Sequence, residues 1–114
     1  MKKLKIEGNK ISDIIEFLSD GNVCKAQVVR DVDNRKIGFF VYEDYYFRTT
    51  RTVSCSVFLY QTELDSCEIA IVGSGGASAI GITWGAHKDV EKKIAESILK
   101  YCEKIGAKGY YISE

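Results

Sequence analysis

Gly73-Ser74-Gly75-Gly76-Ala77-Ser78 is the segment of this chain best suited to chemistry, because a strand ending in glycines can present backbone N–H groups to a phosphate. Its neighbours weaken that reading. A dinucleotide fingerprint needs glycine at the sixth position, where Ser78 stands, and a P-loop needs a Gly-Lys-Ser/Thr ending that this segment lacks. The following Ala79 to Trp84, with Ile80, Ile82 and Thr83, is β-branched and reads as a strand, so no helix dipole would point at a bound anion. The glycines read as a hairpin turn, with Ser74, Gly75 and Gly76 the residues to hold an anion if the turn takes one.

His87 is the single histidine, and with a cysteine such as Cys67 it could form a base and nucleophile pair. It lies three residues before Val90, beside a buried helical stripe and near a helix N-terminus that disfavours its cation, which fits a structural histidine better. Tyr42, Tyr45, Tyr46 and Phe47 lead into Arg48 and Arg51, the mixture of a single-strand nucleic-acid platform. Glu43 and Asp44 inside that cluster argue against nucleic acid. The four cysteines, at 24, 55, 67 and 102, include no Cys-x-x-Cys pair, so neither a zinc framework nor a redox motif is expected. Each lies in an apolar strand or helix pattern, where a reduced thiol behaves as a small hydrophobe.

These groups have to be positioned by regular elements. Lys3 to Glu7 alternates Leu4 and Ile6 with charges, a short strand with one buried face. Ile11, Ile14, Ile15 and Leu18 follow helical spacing, with Ser12 a candidate N-cap and Gly21 placed to end the helix. Strands follow at Cys24 to Val32, about Lys36 to Tyr46, Thr50 to Gln61 and Cys67 to Val72, with Asp33-Asn34 as a turn and Gly73 to Gly76 ending the last of them. A final helix runs from about Ala86 to Ile105 on the stripe Val90, Ile94, Ile98, Tyr101, Cys102 and Ile105, with Gly106 just past its end.

Short connections imply antiparallel pairing. The expected fold is α+β, two layers: an antiparallel sheet of about five to six strands with both helices on one face, in the order β-α-β-β-β-β-β-α. At 114 residues the chain fits one domain, residues 1–114.

A turn at Phe47 to Thr50 would set Phe39 against Leu59, Val41 against Val57 and Glu43 against Cys55 on one face. Phe40 would then pair with Phe58, and Tyr42 with Ser56, on the other. Both faces are apolar, while the helices can cover one, so Phe40, Tyr42, Phe58 and Tyr60 are expected at an exposed interface and a homodimer is the expected partner state. Glu43 is the carboxylate that this pairing turns toward the helix-covered face, where it could serve a ligand. A small apolar molecule held between the sheet and the last helix is the second reading.

Sixteen basic and sixteen acidic residues cancel, so no global field recruits nucleic acid or an anionic membrane. The start, Met1 to Glu7, has no apolar run for a secretory signal, and no stretch approaches the ~18 apolar residues of a membrane span. A cytosolic protein without cofactor or metal is the expectation, and nothing assigns it a reaction.

Val41-Tyr42-Glu43-Asp44-Tyr45, Val53-Ser54-Cys55-Ser56-Val57-Phe58-Leu59 and Gly73-Ser74-Gly75-Gly76-Ala77-Ser78-Ala79, followed by Gly85 and the terminal helix, resemble a family of small uncharacterised proteins from Firmicutes. The resemblance spans about Val23 to Tyr101 and departs from the family at Ile80-Gly81-Ile82-Thr83-Trp84. It implies a single-domain bacterial protein and carries over no catalytic or binding residues.

Overall fold

Alternating burial along the strands organises the molecule around one sheet face. The structure, a computed structural model, describes residues 1–8, 10–20, 24–46, 51–75 and 86–113. Its elements are β1 (Lys2–Glu7), α1 (Ile11–Leu18), β2 (Cys24–Val32), β3 (Arg35–Tyr46), β4 (Arg51–Glu63), β5 (Ser66–Gly75), α2 (Ala86–Ile105) and β6 (Lys108–Ser113). The fold is α+β, an open six-stranded sheet in the order β2-β3-β4-β5-β1-β6, antiparallel at every junction. The expected strand at Ala79 to Trp84 lies outside the described residues. The sheet also has a strand after α2 that the sequence reading did not assign, although Gly109-Tyr110-Tyr111-Ile112 carries an aromatic and β-branched signal.

Local chemistry accounts for the element ends. Asp33 and Asn34 both take positive φ, 51° and 66°, the conformation of a tight hairpin turn between β2 and β3. Gly106 takes φ 79° after α2, and the Ala107 N–H donates to the Cys102 carbonyl at 2.8 Å, which closes the helix in a Schellman motif. For α1 the capping expectation is corrected. The helix begins at Ile11, its N-cap is Lys10 with no side-chain cap, and Ser12 lies inside the first turn. Burial of Ile11, Ile14 and Leu18 against the sheet holds this helix, and the Ser19 hydroxyl donates to the Ile15 carbonyl at its end.

One apolar cluster joins both helices to the same sheet face. Leu4, Phe40, Val57, Leu59, Ile69 and Ile71 lie beneath Ile14, Val90, Ala95 and Ile98, all essentially without solvent contact. β2 contributes no fully buried residue, and its valines Val28 and Val32 are about half exposed on the opposite face.

The central hairpin is paired one residue away from the expected register. Tyr46 opposes Arg51, so Phe40 faces Val57, Tyr42 faces Cys55 and Phe39 faces Phe58. The slip reverses the faces: Phe40 and Tyr42 enter the core, and Phe39 turns outward. Gly38 shows what stabilises this arrangement. A Cβ built there would lie 2.7 and 2.9 Å from two ring atoms of Phe40, so the ring packs over bare backbone. Gly38→Ala should therefore lower stability by about 1–3 kcal/mol through overpacking, measurable by urea unfolding; a neutral effect would place the Phe40 ring elsewhere.

Candidate functional site

The two helices leave a cavity over one part of the sheet. Its volume is about 330 Å³, and its lining comes from the end of α1 (Phe17, Leu18) with Asp20, from β3 (Tyr42, Glu43) and from α2 (Val90, Lys93, Ile94, Ser97, Ile98). Leu18, Val90 and Ile98 are buried and form an apolar floor, while Asp20, Glu43, Lys93 and Ser97 are exposed at the rim. At the cavity wall the Phe17 ring stacks on Tyr101 with centroids 4.3 Å apart and 11° between planes, which ties α1 to α2.

Tyr42 is the polar group nearest the cavity's interior, and its hydroxyl is already engaged. It donates to the Leu18 carbonyl in the last turn of α1, where helix carbonyls lack intrahelical partners. Burial, with smaller contributions from Cys24, Cys55 and Asp20, pushes its pKa well above the ordinary tyrosine range. Tyr42 is thus a neutral tether between β3 and α1 and is not poised to exchange protons near neutral pH.

A second polar feature lies at the N-terminal half of α2. Glu91 is buried, accepts the Gly73 N–H at 2.8 Å on Oε2 and pairs with the Met1 ammonium at 3.3 Å on Oε1. Sequence reasoning missed Glu91 because it adjoins the apolar stripe and looks like an ordinary exposed helical carboxylate. Its bonds satisfy a backbone donor of β5 and dock the N-terminus, a structural task.

The other sequence candidates are dispersed. Gly73, Ser74 and Gly75 continue β5, opposite Cys55, Ser54 and Val53, so a turn beginning at Gly73 is corrected to a strand running through Gly75. Gly76 lies outside the described residues. His87 stands in the first turn of α2. Glu43 reaches the cavity at its exposed rim, and it opposes Ser54 where Cys55 was expected.

Of the four interface candidates, Phe40 and Tyr42 belong to the core, whereas Phe58 and Tyr60 stay on the uncovered face. Tyr60 donates to Glu68 Oε1 at 2.7 Å, and that bond, followed by desolvation, raises its pKa.

Cys55, Cys67 and Cys102 are buried and unpaired. Burial pushes their thiols up to about 12, 12 and 11 respectively; Glu91 adds to the shift at Cys55, Cys102 and Glu68 add to it at Cys67, and burial alone accounts for Cys102. Such thiols are poor nucleophiles. Among the described residues no three His, Cys, Asp or Glu side chains converge as metal ligands, and no helix is long and apolar enough to cross a membrane.

The cavity combines an apolar floor with a polar rim, the make-up of small-molecule sites. Compared with protein-family models, with curated proteins and with solved structures, the chain has no significant match.

Proposed function

We propose that the protein is a small non-catalytic binding module that takes an apolar molecule between α1, β3 and α2. The cavity of about 330 Å³ carries this reading. It lies at the small end of the range for ligand sites and is roughly twice the cavity that accommodates benzene, so the matching ligand has an apolar body of about two rings. A polar end of that molecule would lie among Asp20, Lys93 and Ser97 at the rim. The buried, protonated thiols and the engaged hydroxyl of Tyr42 support binding over catalysis. Four unpaired cysteines and the resemblance to small Firmicutes proteins favour a bacterial cytosolic setting.

N-phenyl-1-naphthylamine, a neutral probe that fluoresces in apolar surroundings, tests the proposal. Saturable one-to-one binding is expected. Ile94→Trp, which fills the cavity from its half-exposed wall, should weaken binding at least about tenfold by removing the apolar burial that drives it. No saturable binding, or equal binding by Ile94→Trp, overturns the reading.

A further inference from the structure

The sheet face away from the helices carries its own ordered pattern. Register places Val28, Phe39, Phe58 and Ala70 in one row across β2, β3, β4 and β5. The row on one side is Ala26, Val41, Ser56 and Val72, and the row on the other is Arg30, Ile37, Tyr60 and Glu68. Val28, Phe39, Phe58 and Val72 are each about 40–50% exposed, a contiguous apolar surface that monomers seldom leave open.

We infer that this face joins two copies of the chain, sheet on sheet, about a two-fold axis that runs along the strands between β3 and β4. Such an axis lays β2 of one copy on β5 of the other, and β3 on β4. Phe39 then meets the partner's Phe58, Val28 the partner's Ala70, and Ala26 the partner's Val72. In the third row Arg30 meets the partner's Glu68, and symmetry repeats the pair on the other flank. Within one chain Arg30 and Glu68 are three strand spacings apart, roughly 14 Å, and neither forms an ion pair among the described residues.

The lysines select this axis over its neighbour. Lys3 and Lys5 continue the rows on β1, opposite Ala70 and Glu68. With the axis between β3 and β4 they fall beyond the partner's edge strand and stay in water. One strand further over, they would lie on the partner's Phe39 and Ile37, burying charge against apolar side chains at a cost nothing offsets. The overlap is large enough. Four strands about 4.8 Å apart and nine residues at about 3.4 Å each cover about 600 Å² per copy, which brings the pair to about 1,200 Å², the lower bound of a specific interface.

Sedimentation velocity on the full chain tests the inference, with thermal melts confirming that each variant folds, as substitutions at these outward-facing positions should allow. The wild-type chain should dimerise, and Phe58→Lys should be monomeric. Arg30→Glu and Glu68→Arg should each raise the dimer dissociation constant at least about tenfold, and the double variant R30E/E68R should return it to near the wild-type value. A wild-type monomer at millimolar concentration, a dimer unaffected by Phe58→Lys, or a double variant no better than the single ones overturns it. Probe binding in the cavity should be unchanged in Phe58→Lys, so this interface and the binding site succeed or fail separately.

Discussion

Phe40→Ala should cost about 4 kcal/mol of folding stability, whereas Phe39→Ala, one residue away, should cost less than about 1 kcal/mol. The contrast follows from burial. Phe40 has no solvent contact, faces Val57 and packs its ring over Gly38, so truncation leaves a cavity in the middle of the sheet's covered face. Phe39 is 42% exposed on the opposite face, and truncation there removes little that folding had buried. Urea unfolding at low protein concentration, where self-association does not contribute, makes the comparison. Equal losses at the two positions, or a larger loss at Phe39, would show that the hairpin is paired in the other register.

Alkaline pH should unfold the protein steeply between about pH 9 and 12. Cys55, Cys67 and Cys102 have folded pKa values raised above the ordinary thiol value of 9.0, to about 12, 12 and 11, and Tyr42 is raised above 10.0. The sign is that of acids held protonated by the fold. Below about pH 9 these groups are protonated in both states, so their full contribution to stability is present and does not vary with pH. Above it the unfolded chain releases protons that the folded chain retains, and each such group costs up to about 1.4 kcal/mol per pH unit until its folded pKa is reached.

Three thiols and one phenol acting together would exhaust the stability of a typical domain before the upper end of that window. Circular dichroism against pH reads the transition. Replacing Cys67 by alanine should move its midpoint to higher pH relative to its own stability at pH 7, because one ionising group is gone. A midpoint that does not move would count against the thiols as its cause.

Where local chemistry decides an outcome, the residues themselves reveal it. β2 and α2 run over the residues expected for them, Cys24–Val32 and Ala86–Ile105. A paired Asp33-Asn34 turn bounds the first and Gly106 ends the second, and both signals act within a few residues. The first strand, the first helix and the two-layer α+β class follow from equally local periodicity. The cavity wall was legible in part, because Ile94 and Ile98 repeat at helical spacing on α2. Its other wall, Phe17, Leu18 and Asp20, was not, because their approach to α2 depends on where the sheet sets both helices.

By itself the sequence determined the two-layer α+β class, the antiparallel hairpins and the presence of more apolar sheet surface than two helices can cover. Only the tertiary structure decided which surface that is. In β3 both alternating sets are apolar, Phe39 and Val41 against Phe40 and Tyr42, so alternation carries no information about which set faces the helices. The choice falls to long-range contacts: Phe40 over Gly38, Tyr42 on the end of α1, and Val57 and Ile71 in the same buried row. The same applies to β6, whose pairing with β1 joins residues from opposite ends of the chain and leaves no trace in any short window of sequence.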